Sequence, residues 1–367
     1  MADPRIEKLA RVMVEYSAPV REGDQVLIQG TSAAQPLLLA MYRAVLEHGG
    51  HPLLMCPVPG ADEVFFRFAN DAQLDYVSPV TRMVAETFDV SFRIMSETNT
   101  RSMSTVDGAR MSRFAYSHHE LQETFMRRQA TGELRWSVTL FPTEAYAQDA
   151  EMSLREYEDF VYGACLLDDP DPVASWRQVA ARQQKLVDWL KGKKTVHVAG
   201  PHCDLKVGIE GRVFLNADGT KNLPDGEIFT GPQEDVTEGH VEFTYPAIYQ
   251  GREVEGIALT FEQGRVTEAS AKKGHDFLVR MLDTDEGARV LGEFAIGTHN
   301  GIKKFTRNIL FDEKLGGTIH MAVGASYPDT GGRNKSSIHW DMICDMRDGG
   351  EITVDGVPFY KSGEFLV

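Results

Sequence analysis

The hydrophobic pattern of this chain of 367 residues changes near residue 194. Before that point, apolar strands alternate with amphipathic helices. The pattern is typical of strands at DQVLIQG (residues 24–30), HPLLMC (51–56) and DVSFRIMS (89–96). It is typical of a helix at QPLLLAMYRAVLEHGG (35–50), which ends at a Gly-Gly pair. Strand, helix and strand at this spacing predict a parallel sheet with covering helices.

After residue 194, short segments of alternating apolar and polar residues are separated by glycine-containing turns. Examples are TVHVAG, LKVGIEG, EIFTGP and GTIHMAVGAS. This pattern predicts a mostly antiparallel sheet, with one helix near TDEGARVLGEF (284–294). Further helices are expected in the first half at residues 108–130, 153–165 and 176–190.

The change of pattern and the length of the chain together predict two domains, because one hydrophobic core rarely serves so many residues. We place the boundary at the KGKK stretch that follows the helix ending near Leu190. The prediction is therefore an N-terminal α/β domain with a helical extension over residues 1–190, followed by an α+β domain, mostly antiparallel sheet, over residues 191–367.

Charge and composition argue against several classes of function. The formal net charge is −16 and no basic patch is visible, which argues against nucleic acid as a partner. No apolar run approaches the roughly 18 residues of a membrane span, and the charged N-terminal stretch does not resemble a signal peptide, so a cytoplasmic protein is expected. The four cysteines are widely spaced and are expected to be buried free thiols.

Ionisable residues lie in apolar, strand-like surroundings at several places in the second half. In SSIHWDMICDM, His339 and Asp341 are two positions apart and would share one face of a strand. Trp340 and Met342 would pack on the other face. The candidates for binding a metal are Glu227, which follows a Pro-Asp-Gly turn, and Glu293, His320, His339 and Asp341.

Each of these residues is a weak signal by itself, since a glutamate after a turn is usually solvated and a lone histidine is usually part of the core. Their combination is stronger, because ionised groups are costly to bury unless they are paired or bound to a cation. Three carboxylates and two imidazoles match the ligands of a site for two divalent cations about 3.5–4 Å apart.

The motifs that carry these residues resemble the aminopeptidase T family of metallo-aminopeptidases (peptidase family M29), and the likeness extends from end to end. The motifs are NLPDGEIFTGP, GEFAIGT, FTRNILFDEKLGGTIHMAVGASYPDTGG and IHWDMICDM. The resemblance implies metal ligands at Glu227, Glu293, His320, His339 and Asp341, with Tyr327 at or beside the metals. His299 stands where the family pattern has asparagine.

The resemblance also implies a catalytic C-terminal domain, a homodimer, and two ions of zinc, cobalt or manganese per chain. The expected activity is removal of the N-terminal residue from peptides that have a free N-terminus, by a water that the two metals activate. Glu293 is expected to bridge the ions, and Tyr327 to donate a hydrogen bond to the reacting carbonyl or to bind a metal.

Two other functions stay open from the sequence. His320, His339 and Asp341 by themselves match the two histidines and one carboxylate of a mononuclear iron(II) dioxygenase that cleaves aromatic rings. A non-enzymatic protein that captures a cation or an amine is the second alternative. The presence of both Glu227 and Glu293 favours the peptidase, because these two carboxylates serve a second metal.

Overall fold

The computed structural model of the chain describes residues 3–367. A π-helical turn at Met13–Ser17 and 3-10 turns at Ser32–Ala34 and Pro328–Thr330 accompany the α-helices. The α-helices are α1 (Pro4–Val12), α2 (Gln35–Glu47), α3 (Ala61–Phe68), α4 (Asp71–Leu74), α5 (Pro79–Thr87), α6 (Gly108–Ser117), α7 (His119–Ala130), α8 (Glu144–Asp149), α9 (Leu154–Ala164), α10 (Pro172–Leu190), α11 (His275–Leu282) and α12 (Ile309–Asp312).

The strands follow the same chain order and are mostly short. They are β1 (Gln25–Gln29), β2 (His51–Met55), β3 (Val90–Met95), β4 (Arg135–Leu140), β5 (Thr195–Gly200), β6 (Cys203–Gly208), β7 (Leu215–Ala217), β8 (Asn222–Leu223), β9 (Glu227–Thr230), β10 (Glu238–Glu242), β11 (Ala247–Tyr249), β12 (Arg252–Val254), β13 (Ala258–Glu262), β14 (Arg265–Ser270), β15 (Leu291–Gly297), β16 (Thr318–Gly324), β17 (His339–Asp345), β18 (Glu351–Val354), β19 (Val357–Lys361) and β20 (Glu364–Phe365).

The chain forms two compact units. One contains the chain up to Trp176 together with Gly219–Pro224, and the other contains Arg177–Asp218 and Asp225–Val367. Within residues 3–367, no helix combines the length and the apolar character that crossing a membrane requires.

The first unit is built on a parallel sheet, as its sequence predicts. Its strands lie in the order β2-β1-β3-β4-β8, and each neighbouring pair is parallel. The middle of β1 is buried (Val26–Ile28), as is usual for a parallel strand covered by helices. Helix α2 ends before Gly49, whose φ of +77° is a left-handed conformation that glycine adopts without strain.

The helix predicted over residues 108–130 is two helices, α6 and α7, which meet at His118. The His118 ring stacks on Phe114, with 3.9 Å between ring centroids, and its Nδ1 lies 2.9 Å from the Phe114 carbonyl oxygen. Helix α10 begins at Pro172, earlier than predicted, because proline is well suited to the first turn of a helix. Cys165, Cys203 and Cys344 are buried free thiols, but Cys56 is exposed, contrary to expectation.

The second unit contains two antiparallel sheets and a short hairpin of β11 and β12. The larger sheet has the order β14-β13-β10-β6-β5-β18-β19-β20. The other, which we call the β16 sheet, has the order β17-β16-β15-β9-β7. Both sheets contribute to one cluster of buried apolar side chains, which includes Val198 and Leu205 from the larger sheet and Phe294, Met321 and Trp340 from the β16 sheet.

The prediction of a helix over residues 284–294 is wrong. Helix α11 lies upstream of it, and the segment forms a turn that leads into β15. The carboxylate of Asp285 accepts hydrogen bonds from the backbone N–H of Gly287 and of Ser337, which hold the turn. Gly287 lies so close to the Lys335 carbonyl oxygen that a Cβ atom would be 2.0 Å from it, so this segment packs as a turn with little space around its backbone.

Candidate metal centre

The five acidic and histidine side chains predicted as ligands lie together on one face of the β16 sheet. Antiparallel pairing places opposed residues on the same face, and residues two apart along a strand also share that face. On the other face, Phe294, Met321, Trp340 and Met342 join the buried apolar cluster. The alternation predicted for SSIHWDMICDM is therefore present, since Trp340 and Met342 are buried on the face opposite His339 and Asp341.

A small residue lies directly across from every one of these five side chains on a neighbouring strand. Glycine and alanine side chains do not extend across the face, so the longer ionisable side chains can converge above them. The opposed pairs are Glu227 with Gly297, His320 with Ala295, Glu293 with Ala322, Asp341 with Ala322, and His339 with Gly324.

A β-bulge lies beside Glu293. The register of β15 and β16 shifts between Leu291 and Glu293, so that the extra residue is Gly292. A Cβ atom at Gly292 would lie 2.4 Å from the carbonyl oxygens of both Gly324 and Ala325, so a larger residue does not fit there without a shift of the backbone. The bulge therefore interrupts regular pairing immediately before Glu293, which lies on the face that carries the proposed ligands.

One group of ligand atoms consists of Glu227, Glu293 and His320, all of which are buried. His320 Nε2 lies 3.1 Å from Glu227 Oε2 and 3.5 Å from Glu293 Oε1. Within residues 3–367, neither ring nitrogen of His320 nor Glu227 Oε2 has a hydrogen-bond partner of acceptable geometry. Buried polar atoms normally have a partner, so atoms that converge without one fit the donor set of a metal-binding site.

A second group consists of Glu293, His339 and Asp341. His339 Nε2 lies 3.2 Å from Glu293 Oε2 and 3.6 Å from Asp341 Oδ1. The other ring nitrogen, Nδ1, lies 2.8 Å from the Ala325 carbonyl oxygen. Such a bond fixes the tautomer with a proton on Nδ1 and leaves Nε2 available as a ligand, the usual arrangement of a metal-binding histidine.

The electrostatics of the face favour a cation. Burial alone would lower the pKa of His320, but the carboxylates of Glu227 and Glu293 outweigh burial and raise it well above its ordinary value. Burial also opposes ionisation of Asp341, yet His339 and His320 bring its pKa down to about 2. The carboxylates thus stabilise positive charge between them, which a proton or a divalent ion can supply.

Tyr327 lies beside this face, and its ring packs edge-to-face on His339 with 5.1 Å between centroids. It also contacts Phe229. Although Tyr327 is 47% exposed, partial desolvation of its hydroxyl raises the pKa, His339 opposes that shift, and the carboxylate of Glu293 adds to it. The phenol therefore stays protonated at neutral pH and can donate a hydrogen bond.

Sequence reasoning missed a buried lysine next to the site. Lys314 is 1% exposed, and its Nζ lies 2.6 Å from Glu227 Oε1, 2.6 Å from Glu313 Oε1 and 3.4 Å from Asp225 Oδ1. Burial would lower the pKa of Lys314, but the three carboxylates hold it well above its usual range. Glu313 also belongs to a third group of possible ligand atoms, with His320 and Asp341.

His299 has a structural role in its loop. Its Nδ1 accepts hydrogen bonds from the backbone N–H groups of Gly301 and Ile302, at 3.1 and 3.2 Å. The side chain is buried, and a Cβ atom at Gly226 would lie 2.8 Å from His299 Cβ. His299 therefore packs against the turn that precedes Glu227, while its Nδ1 is already engaged by the backbone of its own loop.

Comparison with known proteins gives one consistent result. A family model described as thermophilic metalloprotease (M29) matches residues 2–365. Aminopeptidase 2 of Geobacillus stearothermophilus is 26% identical over 99% of this chain and 98% of its own length. Aminopeptidase T of Thermus thermophilus is 33% identical over 63% of this chain and 63% of its own length.

Two solved structures share the fold over their full lengths. Wild-type AmpT from Thermus thermophilus superposes with a TM-score of 0.86 at 23% identity and covers 99% of both chains. A 2,5-dihydroxypyridine dioxygenase from Pseudomonas putida superposes with a TM-score of 0.60 at 12% identity and covers 100% of this chain and 98% of its own. At such identities the likeness establishes the fold.

Proposed function

This chain belongs to the thermophilic metalloprotease (M29) family, and from that premise we propose that it is a metal-dependent aminopeptidase with two divalent ions per chain. Two relatives that match it are named aminopeptidases, and one of them matches over nearly its whole length. Peptides with a free N-terminus are the proposed substrates, and zinc, cobalt or manganese the proposed metals.

The arrangement of Glu293 carries the proposal of two ions. Its Oε1 faces His320 in one group of ligand atoms, and its Oε2 faces His339 in the other. A carboxylate that presents one oxygen to each of two groups is suited to bridge two ions. Glu227 and His320 would hold one ion with Glu293, while His339 and Asp341 would hold the other.

The remaining roles follow from the positions of the side chains. When bound, the two ions supply a hydroxide near neutral pH and stabilise negative charge on the carbonyl oxygen of the substrate. Tyr327 donates a hydrogen bond to that oxygen, because its hydroxyl is protonated and its ring is held beside His339. The carboxylates of the site attract the cationic N-terminus of a peptide.

The same geometry favours the peptidase over the iron dioxygenase. Among residues 3–367, none of the groups of ligand atoms contains both histidines, and Glu293 joins His320 in one group and His339 in another. A mononuclear site would bring His320 and His339 to a single ion and leave Glu227 Oε2, which has no hydrogen-bond partner within residues 3–367, without a metal to bind. A protein that merely captured one cation would not need two such groups.

The test compares L-leucyl-4-nitroanilide with its N-acetylated form. We expect the free substrate to be cleaved, the acetylated one to be cleaved at least about a hundredfold more slowly, and both activities to vanish with chelation and return with zinc, cobalt or manganese. Acetylation removes the basic amine that the acidic site attracts. Equal rates on both substrates would show an endopeptidase or another hydrolase, and activity that survives exhaustive chelation would refute metal dependence.

Two further features implied by the family resemblance are part of the proposal. The chain is proposed to form a homodimer, which light scattering coupled to gel filtration measures directly. It is also proposed to act in the cytoplasm, which fractionation of the source cells tests.

A further inference from the structure

Lys314 is a buried cation whose partners are three carboxylates. An ammonium group has three N–H donors, and Glu227, Glu313 and Asp225 lie within 2.6 to 3.4 Å of its nitrogen. Lys314 lies in the segment between α12 and β16. Its backbone carbonyl accepts a hydrogen bond from the N–H of His299, which anchors the segment to the loop after β15.

The lysine distinguishes between the two oxygens of Glu227. Oε1 accepts a hydrogen bond from Lys314 Nζ at 2.6 Å. Oε2 points to His320 Nε2 at 3.1 Å and has no hydrogen-bond partner within residues 3–367. One oxygen is therefore occupied by the protein, and the other is directed into the group of ligand atoms formed with Glu293 and His320.

We propose that Lys314 is a positioning residue that limits Glu227 to a single metal-binding oxygen and thereby keeps one coordination position open for water or substrate. The inference rests on the proposed function, since it assigns a task to a residue beside the proposed metal site. Catalytic metal sites keep a position open, whereas structural ones are closed by protein ligands. Groups that orient a ligand from outside the coordination sphere typically affect metal affinity or activity by about 10- to 100-fold.

The charge balance of the site supports this role. The lysine and two divalent ions together would carry five positive charges, the same number as the surrounding carboxylates when all are ionised. Burial raises the pKa of Glu313 to about 8, and bound cations would favour its ionised form. Buried charges need compensation of this kind, because the interior solvates them poorly. The carboxylates are those of Asp225, Glu227, Glu293, Glu313 and Asp341.

Removal of the lysine would release Glu227 Oε1. With both oxygens free, Glu227 can bind one ion through two atoms, so metal binding persists while the open position is filled. We therefore expect Lys314→Met to retain two cobalt ions per chain at saturation, to lose about 10- to 100-fold in kcat, and to change the visible absorption of the cobalt-loaded protein. That absorption responds to the number and geometry of the ligands around cobalt.

A matched control is Gln183→Met, which removes another buried polar side chain near the same glutamate. Gln183 Nε2 donates to the backbone carbonyl of Glu227 at 3.1 Å and to that of Ala217 at 2.9 Å, and it leaves the carboxylate of Glu227 untouched. We expect Gln183→Met to lower the melting temperature and to leave the cobalt spectrum and kcat close to those of the wild-type protein. If the role of Lys314 is purely structural, Lys314→Met will behave like this control.

Lys314→Met leaves buried carboxylates without their cation and can fail to fold. The double variant Lys314→Met/Asp225→Asn removes one negative charge together with the positive one, and Asp225 lies outside the groups of possible ligand atoms. The same spectral change and loss of kcat are expected in it. A wild-type cobalt spectrum and kcat in a folded variant that lacks Lys314 would overturn the inference, as would loss of one cobalt ion.

The outcome separates this inference from the proposed function. If the wild-type protein fails to bind two ions or to cleave the free leucyl substrate, the proposed function fails. If the wild-type protein passes both tests and the variants without Lys314 match it, the role of Lys314 fails and the aminopeptidase stands.

Discussion

Replacement of Glu227 by glutamine isolates the charge of one proposed ligand. Glutamine keeps the size of the side chain, and its oxygen can still accept the hydrogen bond from Lys314 Nζ, which now lies 2.6 Å from Oε1. The amide nitrogen then takes the place of Oε2, 3.1 Å from His320 Nε2. A hydrogen-bond donor without charge thus stands where an anionic oxygen is proposed to bind a dication.

The expected loss of activity is large. A bound divalent ion contributes several kcal/mol of charge stabilisation in the transition state. A loss of about 3–4 kcal/mol corresponds to roughly 150- to 900-fold in kcat/KM. The kcat/KM of Glu227→Gln should therefore be two to three orders of magnitude below that of the wild-type protein, and elemental analysis should find a matching loss of bound metal.

The expected loss of stability is small by comparison. Lys314 keeps Glu313 and Asp225 as partners, so the metal-free variant loses the charge of one buried hydrogen bond, about 1–2 kcal/mol. In a domain of about 150–250 residues this lowers the melting temperature by roughly 2–8 °C. Calorimetry of the metal-free proteins measures this difference.

The matched control is Glu262→Gln, the same chemical change at an exposed glutamate on β13. It should keep wild-type kcat/KM, metal content and melting temperature. Wild-type turnover with full metal content in Glu227→Gln would remove Glu227 from the metal site and refute the assignment.

Three further predictions test the face, the ions and the surroundings of the site. Elemental analysis should find about two divalent ions per chain, whereas one iron per chain with ring-cleaving activity would establish the dioxygenase. His339→Ala should lose bound metal, while Trp340→Phe, which trims the opposite, apolar face, should keep it and lose about 1–2 kcal/mol of stability; equal metal loss in both would contradict the strand geometry. Burial raises the pKa of Asp312 to about 7, above its unfolded value, so its contribution is fully present below about pH 4 and is lost as pH rises through 7. The free energy of unfolding of Asp312→Asn should therefore rise relative to that of the wild-type protein, by up to about 4 kcal/mol, when denaturation is measured at a series of pH values from 4 to 8. A difference that does not change with pH would show that Asp312 titrates normally.

Local sequence signals predicted much of the secondary structure. The strands β1, β2 and β3 and the helix α2 are apparent from runs of apolar residues and from the Gly-Gly pair after the helix, which are properties of adjacent residues. The face shared by His339 and Asp341 was predictable for the same reason, because the alternation of a strand is a local property.

The errors have physical causes that lie outside the local sequence. The segment 284–294 has helix-forming residues, but Asp285 binds the backbone of Ser337, over fifty positions away, and the turn is stable in that context. The strand β8 pairs with β4 in the first unit although the residues on both sides of it belong to the second. Contacts of this separation leave no periodic signal in the sequence.

Lys314 was missed because its neighbours suggest a surface. A lysine that follows an aspartate and a glutamate in FDEKLGG is ordinarily solvated, yet here it is fully buried. Its burial is explained by its ion pairs with Glu227 and Asp225, which lie nearly ninety positions earlier in the chain. The same long-range pairing places a glycine or alanine opposite each proposed ligand, and in the sequence AIG and MAVGAS are ordinary strand segments.

The two faces of the β16 sheet have opposite energetic roles, and the register of its strands connects them. The face that carries the carboxylates does not drive folding, because buried charged groups are poorly solvated and depend on compensating positive charge. The other face stabilises the fold through the burial of Phe294, Met321, Trp340 and Met342. A slip of one residue would move the apolar side chains to the ligand face and the charges into the core. The apolar cluster therefore fixes the register, and the register holds the ligand atoms together before any ion arrives.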